Sequence, residues 1–303
     1  QIKKTLKEVN INALRASKKT PVAFTNINKK NIEKGNLGQD LPYIISSTPS
    51  VVTTSDAGAG IGYTSFRVRG SDPTRINVTV NGIPLNDSES QGVWWVNMPD
   101  FSSSIEDLQI QRGVGTSTNG GAAFGASVNL KTDDLRKKSH FTTNNSIGSF
   151  STLKNNIEFG TGLIDSSFAF DGRISKISSD GYIDRATSKL ESIFLQAGFL
   201  KKKYAIKAIL FSGKERTYQA WNGVPLNFLN NNRTFNSYTY ENEIDNEEKT
   251  HYQLHFSQKL SEITNLNVAL HYTHGEGYYE QYKEEQEFED YSLENIIITL
   301  LKK

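Results

Sequence analysis

The feature that most constrains the fold is a strict alternation of apolar and polar residues through the second half of the chain. In residues 167–177, Phe168, Phe170 and Ile174 fall on one face of an extended segment, and Asp171 and Arg173 fall on the other. Each alternating segment has about the ten residues that a tilted strand needs to cross a bilayer. The pattern therefore predicts about eight antiparallel strands. Similar segments lie at 141–150, 152–161, 190–200, 203–214, 250–260, 264–275 and 290–300.

The connections between these segments distinguish two β architectures. A soluble β-sandwich with an apolar inner face shows the same alternation as a membrane barrel with an apolar outer face. Short polar connections lie near 162–165 and 201–203, and long ones lie at 178–189, 215–249 and 276–289. Short turns on one side and long loops on the other are typical of outer-membrane barrels. We therefore favour a barrel, and a secreted adhesin or carbohydrate-binding module is the alternative.

Composition excludes several classes of protein. The 34 Lys and Arg residues balance 33 Asp and Glu residues, so the chain lacks the excess of positive charge that is typical of nucleic-acid-binding proteins. Cysteine is absent, which removes disulfides and thiolate metal sites. No apolar run approaches the roughly 18 residues of a membrane helix. Gln1 to Lys4 lack the apolar segment of a signal peptide, so we expect either a protein that is not exported or a sequence that has been cut.

The first half of the chain has a different residue pattern from the second half. A charged segment at 133–138 follows a glycine-rich stretch and predicts a domain boundary. Residues 20–133 are predicted to form a small α+β domain, with a first helix capped by Asn31 and a hairpin turned by Asn81 and Gly82. The predicted organisation is an N-terminal segment at 1–19, this domain at 20–133, and the strands at 139–303.

Two ordered motifs in this domain carry a resemblance to a known family. The first comprises residues 66–70, with the sequence FRVRG, and residues 75–87, with the sequence RINVTVNGIPLND. The second comprises residues 105–113, IEDLQIQRG, continued by residues 120–130, GGAAFGASVNL. In this order, they resemble the plug domain of the TonB-dependent outer-membrane receptors of the ferric-complex or siderophore type.

The resemblance implies an α+β plug domain followed by an antiparallel transmembrane β-barrel. Receptors of this family close a barrel of 22 strands around the plug. Residues 139–303 suffice for about eight strands, and the chain ends at 300–303 with LLKK, without the terminal aromatic residue of a complete barrel. We therefore expect the chain to be the N-terminal portion of a longer receptor.

The resemblance also implies functional residues. An alternating N-terminal segment is similar to the TonB box, which adds as a strand to the periplasmic energy-coupling protein. Arg69 and Arg112 lie where plug arginines pair with glutamates of the barrel wall. The apical plug loops and the long outer loops are predicted to contact ligand, although the two plug tryptophans are equally suited to packing the plug onto the wall. The TonB-box residues are Leu6, Lys7, Glu8, Val9, Asn10 and Ile11. The predicted ligand contacts are Ser55, Tyr63, Ser88, Trp94, Trp95 and Asn97 in the plug, and Trp221 and Tyr278 in the loops.

Catalytic chemistry has no support in the sequence. The chain lacks the His-Glu-x-x-His and Gly-x-Ser-x-Gly motifs, and the glycine run at 58–62 lacks dinucleotide spacing. His251, His255 and His271 share the predicted inner face, where solvated side chains are favoured over a metal site. We expect neither catalytic residues nor a cofactor nor a bound metal.

The expected function is active import of a scarce solute across the outer membrane of a Gram-negative bacterium. A ferric siderophore or another iron complex is the favoured ligand, and cobalamin, haem and oligosaccharides are the alternatives. The expected partners are this ligand, a TonB-type protein in the periplasm and outer-membrane lipid, with no nucleic acid.

Overall fold

The computed structural model describes residues 15–114 and 124–294 of the chain. The first part is an α+β domain built on a five-stranded sheet of order β1-β6-β7-β4-β5. In this sheet β4 and β7 are parallel, and the other neighbours are antiparallel. A separate hairpin pairs β2 with β3. The elements of this domain are β1 (Ala23–Asn28), α1 (Lys29–Gly35), α2 (Leu41–Ile44), β2 (Val51–Ser55), β3 (Thr64–Val68), β4 (Ile76–Val80), β5 (Ile83–Pro84), β6 (Ile105–Arg112) and β7 (Ala126–Thr132).

Local sequence accounts for the short elements of this domain. Helix α1 begins after Asn28, whose side chain accepts a hydrogen bond from the backbone N–H of Asn31. The predicted cap at Asn31 is therefore wrong by three residues, since Asn31 is the donor of the capping bond. Asn81 and Gly82 both have positive φ, at 54° and 83°, as the predicted two-residue hairpin turn between β4 and β5 requires.

The second part is a seven-stranded antiparallel sheet in which consecutive strands are neighbours. Its strands begin and end close to the predicted segments, although several are longer. The last predicted segment, 290–300, differs: residues Phe288–Tyr291 form a 3-10 helix, and 295–300 lie outside the described residues. The strands are β8 (Lys138–Gly148), β9 (Thr152–Gly162), β10 (Phe168–Ser179), β11 (Ser188–Leu200), β12 (Tyr204–Tyr218), β13 (Ile244–Lys259) and β14 (Asn265–Tyr279).

The two faces of this sheet have opposite chemistry. On β13, Tyr252 and Leu254 point outward and are each 44% exposed, whereas Gln253 and His255 point inward and are buried. The buried face is thus the polar one, and it is covered by the α+β domain. A β-sandwich buries its apolar face, so this arrangement contradicts the sandwich alternative.

The α+β domain packs against the inward face of β11 and β12. Phe101 contacts Phe194 and Phe211 of these strands, with ring centroids 6.4 and 5.0 Å apart. Gly213 of β12 permits a close approach, because a Cβ at this position would lie 2.1 Å from the backbone oxygen of Asn97. This packing positions the loops of the first domain beside the ends of β12 and β13 that are joined by the long loop between these strands.

Within the described ranges, no helix is both long and apolar enough to cross a membrane.

Candidate functional site

A cavity of about 980 Å³ lies between the first domain, the outer ends of β13 and β14, and the loop between β12 and β13. Its walls therefore come from both parts of the chain. Six of the eight predicted ligand contacts line this cavity. They are Tyr63, Ser88, Trp94, Asn97, Trp221 and Tyr278.

A continuous group of aromatic rings forms one side of the cavity. Tyr63 lies at its centre, with edge-on contacts to Trp94 and Trp221 at centroid distances of 6.0 and 5.5 Å. Trp221 also contacts Tyr238 and Tyr279. Such rings offer flat apolar area with few polar atoms, which suits a planar or amphipathic ligand. The group joins the plug-like domain to the long loop.

Several buried polar atoms of the cavity wall have no hydrogen-bond partner among the described residues. Asn97 is 2% exposed, and neither its amide nitrogen nor its amide oxygen is bonded. The Nε2 of His251 and the indole N–H of Trp221 are likewise unpartnered. Buried polar groups that stay unpaired are energetically costly. These atoms are therefore suited to accept or donate hydrogen bonds to a bound molecule.

Carboxylates dominate the charged groups of the cavity. The Lys249 ammonium lies 3.2 Å from Glu247 and 3.7 Å from Asp87. The backbone N–H groups of Ser90 and Glu89 donate to Asp87, and these bonds hold the pKa of Asp87 below its usual range.

Tyr63 ties the plug-like domain to β13. Its hydroxyl donates to the carboxylate of Asp245. Burial, followed by the neighbouring carboxylates of Glu215 and Asp245, raises the pKa of Tyr63 above its usual range. The phenol therefore stays protonated and keeps its donor role at physiological pH.

Two predicted ligand contacts do not reach the cavity. Trp95 is 4% exposed and packs on Phe66, with ring centroids 5.8 Å apart, in the core that joins the two parts of the chain. Ser55 accepts a hydrogen bond from the backbone N–H of Gly60 within its own loop. Direct ligand contact by Trp95 and Ser55 therefore stays a prediction, and neither residue lines this cavity. For Trp95 the alternative, packing of the plug onto the wall, agrees with the structure.

The predicted arginine contacts are not formed within the part of the chain that the structure describes. Arg69 is exposed at a positive φ of 52°, and Arg112 donates to the hydroxyl of Thr25 inside the plug-like domain. Neither guanidinium forms an ion pair with a described strand carboxylate, so pairing of these arginines with the barrel wall stays a prediction. The TonB-box residues 6–11 lie outside the described residues.

In the buried ionic cluster between the plug-like domain and the strands, the plug-like domain contributes the carboxylate and the strands contribute the cations. Asp100 of the plug-like domain is fully buried, with Lys154 Nζ 2.6 Å from Oδ1 and Arg173 Nη1 3.2 Å from Oδ2. Burial alone would raise the pKa of Asp100, but the charges of Arg173 and Lys154 outweigh it and hold the pKa below its usual range. This cluster fixes the domain to β9 and β10.

The inward histidines also differ from expectation. His251 and His255 were expected to be solvated, but they are 8% and 2% exposed because the plug-like domain covers them. The ring of His251 stacks on Phe211 at 4.5 Å. The sequence analysis does not identify Asp245, Glu247 and Lys249, which face inward like His251 because each lies an even number of residues before it on the same strand. Starting the predicted strand at residue 244 instead of 250 includes them.

Comparisons with known proteins agree with the fold. The family described as "TonB-dependent Receptor Plug Domain" matches residues 16–127. The ferric-catecholate import receptor Fiu from E. coli K12 superposes with a TM-score of 0.70 at 16% identity, covering 86% of this chain and 39% of that one. The alcaligin receptor FauA from Bordetella pertussis gives 0.66 at 16% identity, covering 86% and 40%. The ferric citrate transporter FecA, unliganded, gives 0.71 at 16% identity, covering 86% and 41%.

Sequence comparison with curated proteins gives no significant match. The chain spans about two fifths of the length of the solved receptors above. Its α+β domain matches the plug family, and its seven strands match the fold that follows the plug in those receptors. The α+β domain therefore matches the plug family of TonB-dependent receptors, and the chain as a whole has the fold of the plug and the first barrel strands of the solved receptors.

Proposed function

We propose that the protein imports a ferric siderophore or a similar iron complex across the outer membrane. The observation that carries this proposal is the cavity of about 980 Å³ with walls from both the plug and the barrel. A volume in the upper range of small-molecule sites, lined by aromatic rings and a few polar groups, suits a compact chelate. Fiu is described as a ferric-catecholate import receptor, FauA as an alcaligin outer-membrane receptor and FecA as a ferric citrate transporter, which supports an iron complex as the ligand.

The position of the cavity couples ligand binding to the plug. Tyr63 and Trp94 belong to plug loops, whereas Asp245 and Trp221 belong to the barrel and its outer loop. A ligand that contacts both sides competes with the bond from Tyr63 to Asp245 and changes how the plug is held. Differential contacts of this kind are what a ligand needs to shift a conformational equilibrium.

Energy for transport is proposed to come from a TonB-type protein that binds residues 6–11. The segment alternates in the manner of an edge strand, so it is suited to extend the sheet of a partner through backbone hydrogen bonds. Pulling on this segment would move the plug, whose N-terminal end is held by Arg15. The guanidinium of Arg15 donates to Asp107 and to the backbone oxygen of Asn129.

The test is uptake of radiolabelled iron in a strain that lacks the chromosomal copy of the receptor. Cells expressing the receptor should accumulate at least one of ferric citrate, a ferric trihydroxamate and a ferric tris(catecholate), and a protonophore should abolish the accumulation. Uptake of only haem, cyanocobalamin or a maltooligosaccharide would contradict the proposed ligand class. It would leave import by a TonB-dependent route intact.

A pair of variants connects uptake to the cavity. Trp94→Ala removes an aromatic wall of the cavity and is expected to weaken binding by roughly five- to hundredfold. Leu226→Ala is the matched control, because Leu226 is 85% exposed in the outer loop and does not line the cavity. Equal effects of the two substitutions on affinity would place the ligand elsewhere.

A further inference from the structure

We infer that the cavity selects its ligand by charge: it admits neutral or cationic ferric complexes and rejects polyanionic ones. This inference rests on the proposed function and adds the ligand class to it. It depends on the balance of charged groups in the cavity wall, on their existing partners, and on the polar atoms that are left without one.

Carboxylates outnumber cations among the residues that line the cavity. Among the described residues, five acidic side chains contribute to the wall, against a single lysine and no arginine. Counting His251 and His271 as fully protonated still leaves five negative groups against three positive ones. The acidic residues are Asp56, Asp87, Asp245, Glu247 and Glu276.

The single ammonium is not free to bind an anion. Lys249 lies between Glu247 and Asp87, at 3.2 and 3.7 Å, so its charge is already balanced by two carboxylates. An anionic ligand at Lys249 would have to approach both of these groups. Bidentate recognition of an anionic oxygen pair is the typical role of arginine, which the described wall lacks.

The carboxylates that the plug loops contribute to the cavity wall remain negatively charged at neutral pH. Hydrogen bonds from the Ser90 and Glu89 backbone hold the pKa of Asp87 below its usual range. Burial raises the pKa of Asp56 only to about 6, so this carboxyl is also mostly ionised at pH 7.

A second, independent feature shows that the wall is prepared for a ligand. Asn97 is 2% exposed, and among the described residues neither end of its amide has a hydrogen-bond partner. The Nε2 of His251, which lines the same cavity, also has no partner there. An amide offers a donor and an acceptor without charge. These groups are suited to the carbonyl, hydroxyl or amide groups of a neutral chelate, with the Tyr63 and Trp94 rings covering its apolar faces.

The expected discrimination follows from Coulomb's law. A sphere with the volume of the cavity has a radius of about 6 Å. At this distance and at the effective dielectric constant of a partly buried site, one added ligand charge changes affinity by roughly ten- to hundredfold. Like charges brought together at a binding interface are penalised strongly.

The test uses one ferric trihydroxamate scaffold with a pendant amine in three forms. The free ammonium is cationic at neutral pH, the acetylated form is neutral, and the succinylated form carries a carboxylate. Binding of each radiolabelled complex to outer membranes that contain the receptor is measured at low and high salt. The ammonium form should bind at least about tenfold more tightly than the succinylated form at low salt, and the difference should shrink as salt rises.

Two substitutions on one strand locate the effect. Glu247→Gln removes a cavity charge and should narrow the difference between the ammonium and succinylated forms. Glu248→Gln is the matched control, since Glu248 is the next residue on β13 and faces Lys214 on the outward surface. The control should retain the full difference in affinity.

The outcomes separate this inference from the function on which it rests. Tighter binding of the ammonium form, reduced by Glu247→Gln alone, supports charge selection. Equal affinities, or tighter binding of the succinylated form, would overturn charge selection while the receptor remains a binder of iron complexes. If none of the three complexes nor a ferric tris(catecholate) binds, the proposed function fails and the inference fails with it.

Discussion

Substitution of Asp100 by asparagine is expected to loosen the plug from the barrel wall. The Asp100 carboxylate has a side-chain exposure of 0% and lies between Lys154 and Arg173. It also accepts hydrogen bonds from the amide of Asn156 at 2.7 Å and from the hydroxyl of Ser103 at 2.6 Å. Every neighbour of the two carboxylate oxygens is thus a donor. An asparagine amide would place its own NH₂ against donors in either orientation.

The magnitude follows from the uncompensated charges. Removing one partner of a buried ion pair typically costs about 3–5 kcal/mol, because the remaining charge stays buried. Here Asp100→Asn leaves two buried cations, Lys154 and Arg173, each 3% exposed. We therefore expect a loss of plug stability in the upper part of this range. Asp72→Asn is the control, because Asp72 pairs with Arg67 at the surface, both about half exposed, and such pairs contribute less than about 1 kcal/mol.

Tryptophan fluorescence in detergent provides the assay. Of the three tryptophans in the chain, Trp94 and Trp95 belong to the plug, so emission during a urea titration reports on plug unfolding. Asp100→Asn should lower the urea midpoint clearly, and Asp72→Asn should leave it nearly unchanged. A double-mutant cycle with Lys154→Met should show a combined loss well below the sum of the single losses. An unchanged midpoint in Asp100→Asn would refute the reasoning.

Three further predictions concern other parts of the chain. Trp95→Ala should lower plug stability by roughly 3–5 kcal/mol in urea titrations and leave the affinity of folded receptor unchanged, whereas Trp94→Ala should do the reverse; equal behaviour of the two variants would contradict their different burial. Val9→Pro should abolish uptake and preserve ligand binding, since proline removes a backbone donor from the proposed partner-binding strand; normal uptake would place that strand elsewhere. Burial raises the pKa of Asp40 from 3.8 to about 8 in the folded plug. As pH rises from about 4 to about 8, the unfolded chain loses this proton while the folded plug keeps it, so plug stability should fall by up to about 1.4 kcal/mol per pH unit. Asp40→Asn should flatten that slope in urea titrations across the same range, and an unchanged slope would show that Asp40 is not its source.

The positions of most strands could be predicted because one simple cause sets their pattern. Each strand separates an apolar outer surface from a polar plug, so period-two alternation marks the segment wherever both surroundings are present. The beginning of β13 at Ile244 escaped prediction because residues 245–249 are polar on both faces. No apolar alternation is expected where a strand continues beyond the apolar layer.

The pairing of plug and wall residues could not be predicted, because it depends on how the plug is seated. Trp94 and Trp95 are adjacent and chemically identical, yet Trp94 is 46% exposed and Trp95 is 4% exposed. Their difference arises from the 3-10 helix that begins at Trp95 and turns the second ring into the core. Asp100 carries no local signal of its role either, since Lys154 and Arg173 reach it from strands more than 50 residues away.

The arrangement of polar and apolar contacts at the plug surface bears on how it can be moved. Most of the wall facing the plug is polar, so water can replace those hydrogen bonds when the plug shifts. The contacts that water replaces poorly are concentrated at Asp100 and Phe101, which are neighbours in sequence and meet the wall at Lys154, Phe194 and Phe211.

Asp100 precedes a 3-10 helix, Phe101–Ser104, which leads directly into β6 at Ile105. The same strand holds the N-terminal end of the plug, because Arg15 donates to Asp107 and Ala16 bonds to the side chain of Gln109. A pull on the proposed TonB-binding segment would therefore load both β6 and β7, because Arg15 also donates to the backbone oxygen of Asn129 in β7. Under the proposed function, force on this segment would reach the Asp100 and Phe101 contacts through β6 and the 3-10 helix that precedes it.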